Sequence, residues 1–214
     1  SFRRYLMKII LIMGLPGAGK TTFSELVAKH HKCELILERF EENPFLERFY
    51  EDPKSHAFSV ELAFVADRFK QLRDTLGSRN LFRQQVLADY SFAKSLIFAK
   101  ANLPKSEFVL FRTMFRLMEA QVPQPEVIAI LNPGLEKVKE QIVERGRSYE
   151  QDMPKGYLEK VWSGYEEHYK YHRGSRVLWI DTSDLDFVKN QTDYEILLTC
   201  ILQPRKPGVY HIKP

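Results

Sequence analysis

The stretch Gly14-Leu15-Pro16-Gly17-Ala18-Gly19-Lys20-Thr21 follows a short apolar run and leads into a helical pattern. A G-x-x-x-x-G-K-[ST] spacing in that strand-to-helix context is a device for holding phosphate. Its glycines let backbone N–H groups turn inward, and the amino end of the helix adds partial positive charge. Gly14, Gly17, Ala18, Gly19, Lys20, Thr21 and Thr22 are therefore the expected cradle of a nucleoside triphosphate. In it Lys20 would reach the β and γ phosphates and the Thr21 hydroxyl would ligate Mg²⁺. A guanine-nucleotide switch is not indicated. Asp74–Gly77 spells D-x-x-G but trails a helical pattern instead of ending a strand, and no N-K-x-D follows.

A held phosphate raises the matter of an acceptor. The run Cys33–Glu38 reads as a second strand, and Glu38 ends it on the side of the phosphate loop. A carboxylate there could take the proton of a hydroxyl as the γ-phosphoryl group transfers, or it could be a solvated acid at a loop entrance. In the helical pattern that follows, Phe58, Leu62, Val65, Phe69 and Leu72 recur at 4-3-4-3 spacing and form a core stripe. A second face carries Val60, Glu61, Phe64 and Arg68. This face is either a plain surface with an ion pair or the wall of a pocket for a flat polar ligand.

These residues need a frame. Strands are expected at Lys8–Met13, Glu34–Glu38, Gln85–Asp89, Val127–Leu131 and Val177–Asp181. Their nearly continuous apolar character suits strands covered on both faces. Helices are expected at Thr21–Lys32, Pro53–Leu76, Phe92–Ala99, Ser106–Ala120, Pro133–Arg145, Pro154–His172 and Thr192–Leu202. The alternation predicts an α/β, P-loop NTPase-like fold, a doubly wound parallel five-stranded sheet flanked by helices. Ligands of such sheets bind at the carboxyl ends of the strands.

At 214 residues the chain reads as one domain, with residues 1–6 and the proline-rich basic segment 204–214 as extended or disordered tails. The net charge of +4 is mild and its cations are scattered, which gives no signature of nucleic-acid binding. The amino-terminal apolar run is too short for a signal peptide and flows into the glycine loop. No run approaches the ~18 apolar residues of a membrane span. Cys33 and Cys200, in apolar surroundings, read as buried thiols, so the expected location is the cytoplasm.

The phosphate loop, the strand ending in Glu38, "EENPFLERFYEDP", "FSVELAFVADRFKQL", "VLADYSFAKSLIFAK", "ERGRSYEQDMPKGYLE" and "NQTDYEIL" occur in the order of the deoxynucleoside kinases. The chain resembles that family from Lys8 to Leu202, and most of all its bacterial deoxyguanosine kinase branch. The resemblance implies MgATP-dependent phosphorylation of a deoxynucleoside 5′-hydroxyl with Glu38 as general base, and a homodimer. It implies that Tyr50 and Glu150 touch the sugar 3′-hydroxyl, with Tyr157 near that contact. Arg145 and Arg147 correspond to a lid over the triphosphate, a task suited to permanent, forked charge. Asp186 and Phe187 resemble a loop against the ATP adenine. The positions of Val60, Glu61 and Arg68 line the nucleobase site.

Many relatives carry an amide at the Glu61 position. An ionised Glu61 only accepts hydrogen bonds, which fits the N1–H and 2-amino donors of guanine and repels the bare ring nitrogen of adenine. Arg68 or Lys94 could then donate to guanine O6 or N7. The expectation is a preference for deoxyguanosine. One departure stands out. The family's acid-Arg-Ser triplet after the third strand is replaced by Ala88-Asp89-Tyr90-Ser91, with Asp89 where the arginine would stand. Asp89 either takes the metal-side role or binds the 5′-hydroxyl or Glu38 through water. The rival readings are a nucleoside monophosphate kinase, disfavoured by the acids after Glu38, and a catalytically idle nucleotide-binding module.

Overall fold

The computed structural model describes residues 9–39, 43–77, 85–147, 150 and 155–214. Along the chain run β1 (Ile9–Met13), α1 (Lys20–His30), β2 (Cys33–Ile36), α2 (Leu46–Glu51) and α3 (Pro53–Gly77). Then follow β3 (Gln85–Ala88), α4 (Phe92–Asn102), α5 (Lys105–Glu119), β4 (Val127–Asn132) and α6 (Leu135–Arg145). The chain ends with α7 (Tyr157–Tyr169), β5 (Arg176–Asp181), α8 (Gln191–Leu202) and β6 (Gly208–Ile212).

The strands form one parallel sheet in the order β2-β3-β1-β4-β5-β6. Because side chains alternate across a strand, neighbouring residues of β1 serve two different cores. Ile9, Leu11 and Met13 join one with Val86, Ala88, Ile128 and Ile130, roofed by α3, α4, α5, α6 and α7. Ile10 and Ile12 join the other with Leu87, Ala129, Leu131 and Leu178, roofed by Phe23 and Val27 of α1 and by Tyr194, Leu197 and Ile201 of α8. Both faces are dry, which is why these strands lack a polar alternation.

Two expectations need correction. The sheet has six strands, and the proline-rich end is not a loose tail: Gly208–Ile212 pair in parallel with β5. Its prolines lie outside the ladder and mask a half-buried edge strand, in which His211 stacks on Trp179 at 6.2 Å between centroids. The second correction is that α2 lies where no helix was among those expected. A six-residue helix is too short to show a period. The two cysteines are free and half-buried, packed against the second core. Phe111 and Phe115 of α5 are fully buried core residues. Segment 1–6 lies outside the described residues.

Candidate active site

The phosphate loop crosses the carboxyl ends of the central strands. Gly14 has φ 148, and a Cβ there would stand 2.7 Å from the Leu131 carbonyl oxygen, so β4 approaches too closely for any other residue. Gly19 has φ 81 and is the N-cap of α1; a Cβ on it would meet the Phe187 ring at 2.8 Å. Gly17 and the buried Ala18 complete the turn, whose Ala18 N–H donates to the Leu15 carbonyl. The start of α1 has no side-chain cap and no acid in its first turn. By contrast, Ser91 caps α4 and Asn190 caps α8. An uncapped helix amino terminus keeps its N–H groups for an anion. Thr21 and Thr22 begin that helix in exposed positions.

Lys20 folds back on the loop and donates to the Leu15 carbonyl at 2.8 Å. Burial and the neighbouring Lys94 push its ammonium down to about 8, with Arg145 acting in the same sense and Glu38 and Asp89 opposing. One lysine thus feels charges from β2, β3, α4 and α6. These elements converge at the mouth of the loop.

Asp89 ties the start of α1 to the segment that follows β2. Its Oδ2 accepts from the Thr21 hydroxyl at 2.5 Å, and its Oδ1 accepts from the Glu38 backbone N–H at 2.8 Å. The ladder stops at Ile36 and Ala88, just short of the expected Glu38 and Asp89. Both acids leave the sheet at the crevice. A hydroxyl and a carboxylate oxygen side by side suit a hard divalent cation, which keeps several waters and needs only one or two carboxylates. No cluster of three or more His, Cys, Asp or Glu occurs among the described residues, so a cage made wholly of protein is not offered there.

Glu38 turns inward, with its side chain 14% exposed. Arg68 Nη2 donates to Oε1, and Lys94 Nζ donates to Oε2 at 2.5 Å. Burial alone would raise this carboxyl, but Lys94 and Arg68 together hold it far below the usual carboxylate range. It is a carboxylate at every working pH. Each of its oxygens has a further lone pair that these bonds leave open.

On α3 the core stripe packs as expected, with Val65 and Leu72 buried and Phe58, Leu62 and Phe69 against the same core. The second face is buried too: Val60 is 1% exposed, Glu61 3% and Arg68 5%. That rules out a plain surface. Arg68 lies over the Phe64 ring at 5.0 Å and donates through Nη1 to Ser95 Oγ at 2.6 Å. Its buried Nε finds no hydrogen-bond partner among the described residues. Glu61 Oε1 accepts from Asn102 at 2.7 Å, and burial pushes the Glu61 carboxyl up to about 7 against the pull of Asn102, Arg68 and Lys94. Tyr157 closes the same corner, edge-on to Phe98, its phenol raised by burial and by Glu61.

Three expected contacts are arranged otherwise. Lys94, a candidate donor to a nucleobase, is bound instead to Glu38. Glu150, a candidate sugar ligand, is buried and held by Arg145 through Nε at 3.1 Å and Nη2 at 2.5 Å, with Arg147 at 3.8 Å. Both arginines expected in a lid, Arg145 at the end of α6 and Arg147 just past its C-cap Gly146 with φ 67, are therefore gathered on one acid. Asp186 is exposed and accepts from the Lys189 N–H in its own turn, while Phe187 packs edge-on against Phe23 beside Gly19. Tyr50 belongs to α2, but its side chain lies outside the described residues, as do Glu41 and Glu42.

Asn102, Ser95 and Gln71 were not foreseen. Gln71 donates to the Leu37 carbonyl and accepts from the Tyr90 hydroxyl, fixing the segment that carries Glu38. A signal existed for α4: Lys94, Ser95 and Asn102 are polar residues in a helix that is apolar apart from them and the exposed Lys100.

A family model described as deoxynucleoside kinase matches residues 10–203. The deoxyguanosine kinase of Bacillus subtilis (strain 168) is 33% identical over 190 residues, covering 87% of this chain and 92% of that protein. The deoxyadenosine/deoxycytidine kinase of the same organism is 27% identical over 191 residues, covering 87% and 88%. Among solved structures, deoxyadenosine kinase from M. mycoides with bound dCTP superposes with a TM-score of 0.74 at 26% identity, covering 90% of this chain and 97% of the other.

Proposed function

Since this chain belongs to the deoxynucleoside kinase family and transfers phosphate to a deoxynucleoside, we propose that it moves the γ-phosphoryl group of MgATP to the 5′-hydroxyl of deoxyguanosine in preference to other deoxynucleosides. The observation that carries this reading is Glu38, a largely buried carboxylate fixed by two cations and joined through Asp89 to Thr21 of the phosphate loop.

In this mechanism the phosphate loop and the start of α1 hold the triphosphate, and Lys20 leaves the Leu15 carbonyl for its terminal phosphates. Glu38 accepts the proton of the 5′-hydroxyl as its oxygen meets the γ-phosphorus in line with the leaving oxygen. Thr21 and Asp89 would hold Mg²⁺, which when bound offsets phosphate charge. Arg145 and Arg147 exchange Glu150 for phosphate oxygens as the lid closes, which frees Glu150 for the sugar 3′-hydroxyl. Use of a triphosphate is supported by the M. mycoides relative, which binds dCTP.

Relatives named for guanine and for adenine and cytosine both match this chain, so the preference rests on α3. Ionised Glu61 accepts from guanine N1–H and the 2-amino group, and the unpartnered Arg68 Nε–H donates to the guanine carbonyl. Replacement of Glu61 by glutamine supplies the donor that adenine N1 needs and opposes guanine N1–H. Mispairing a buried polar group costs ~1–3 kcal/mol. Measured kcat/KM for deoxyguanosine is expected to fall about tenfold to a hundredfold in Glu61→Gln, with deoxyadenosine improved. Unchanged base preference would refute the assignment.

The raised carboxyl adds a pH dependence. Below about 7 Glu61 is protonated and carries an O–H that suits adenine; above it the carboxylate suits guanine. The deoxyguanosine-to-deoxyadenosine ratio of kcat/KM should therefore rise by about a hundredfold between one unit below and one unit above that value, and glutamine at position 61 should flatten the profile.

We place the enzyme in the cytoplasm as a homodimer. No helix among the described residues is long and apolar enough to cross a membrane, and the thiols are free. Val109, Leu110 and Leu117 expose apolar surface on α5, which suits a second copy of the chain. Sedimentation of the pure protein tests this.

A further inference from the structure

We infer that Lys94 is a positioning residue for Glu38, bringing it from α4 a positive charge where the arginine of the family's acid-Arg-Ser pattern is absent. The inference rests on the kinase reading above. The place where that arginine would stand is held by Asp89, whose carboxylate is committed to Thr21 and to the Glu38 N–H. Exchanging a cation for an anion there would leave Glu38 short of positive charge. Lys94 supplies it from the same β3–α4 corner, beyond the Ser91 cap.

Two observations separate this role from reading the nucleobase. The Lys94 ammonium is bound to Glu38 Oε2 at 2.5 Å, and its side chain is 10% exposed. Its Nζ lies over the Phe98 ring, 5.2 Å from the centroid. Arg68 holds the other Glu38 oxygen but is also tied to Ser95 and borders Glu61. Other groups that face Glu38 are Lys20 from α1, Asp89 from the end of β3, Glu61 from α3, and the phenols of Tyr90 and Tyr165. Only Lys94 and Arg68 bind its carboxylate among the described residues. Without Lys94 the carboxylate would swing toward Arg68, away from the acceptor hydroxyl, and would take up protons more readily.

The test compares wild type, Lys94→Met and Lys94→Arg with MgATP, using deoxyguanosine and deoxyadenosine across the pH range of the folded enzyme. Loss of one charge-assisted hydrogen bond predicts a kcat lowered about tenfold to a hundredfold in Lys94→Met. KM should stay near wild type, and so should the ratio between the two nucleosides at pH well above the Glu61 titration, which Lys94 itself lowers. Lys94→Arg should recover most of the turnover. Should the methionine variant not fold, Lys94→Gln takes its place as the neutral side chain. A changed base ratio with kcat retained would overturn the proposal in favour of a base contact. Equal loss in the arginine and neutral variants, both folded by circular dichroism, would overturn it as well. A wild-type protein that phosphorylates neither nucleoside would instead overturn the kinase reading itself.

Discussion

Replacing Glu38 by glutamine is expected to lower kcat by about 10²- to 10⁴-fold, the usual contribution of a positioned general base. The amide keeps the size of the side chain and one acceptor oxygen, so the pocket still forms, but it cannot take a proton. The substitution also removes the anion between two buried cations. Breaking such a pair leaves charge without a partner, which destabilises a fold by several kcal/mol. Thermal unfolding should accordingly begin at lower temperature in Glu38→Gln. The sign of the pH effect follows from the depressed carboxyl. Its stabilising contribution is complete above the unfolded-state pKa and is lost only as pH falls below that value toward the folded one. The loss of turnover should therefore be constant through the neutral range. Binding of a fluorescent ATP analogue separates lost chemistry from lost fold: it should be retained in the variant. Turnover within tenfold of wild type would show that Glu38 is not the base.

Replacing Lys20 by methionine should cost about 10²- to 10³-fold in kcat, as expected when one preorganised donor is removed from a developing charge. The argument begins in the unliganded loop, where Lys20 is a partly desolvated cation pressed by Lys94 and held to a carbonyl. A pKa lowered to about 8 means that folding disfavours the charged form. That penalty is full below about 8 and is relieved as pH rises from there to the ordinary lysine value. Triphosphate binding removes it by giving the ammonium an anion. Lys20→Met should therefore be at least as heat-stable as wild type without nucleotide at neutral pH, and should gain less from added MgATP. Thermal shift with and without MgATP, beside steady-state kinetics, measures both effects. A methionine variant that gains as much as wild type would refute the assigned phosphate contact.

Much of this site could be read along the chain because strand-loop-helix chemistry is local. The phosphate loop declares itself within eight consecutive residues, and Glu38 and Asp89 lie at the ends of recognisable apolar runs. The α3 stripe was legible for the same reason. What escaped depends on distance in sequence. The partner of Lys94 is 56 residues away and that of Asn102 is 41 residues away, and no periodicity connects α4 with β2 or α3. Glu150 shows the converse: its arginine is close in sequence, yet nothing in the sequence pattern says that this acid is the opposite charge the arginine takes. β6 was hidden because proline flags a break, while an edge strand needs only one partner and tolerates proline on either side.

The sheet order has a consequence for how the polypeptide emerges from the ribosome. β1 is made first, yet it finishes between β3 and β4, with the whole of α3 and α5 still to be synthesised before both neighbours exist. Its five apolar residues must wait unpaired through much of translation, because loop closure over such separations precedes any gain from pairing. Nascent chains halted before β4 should consequently be held by chaperones and cleaved readily by protease, and protection should arise once β4 has cleared the exit tunnel.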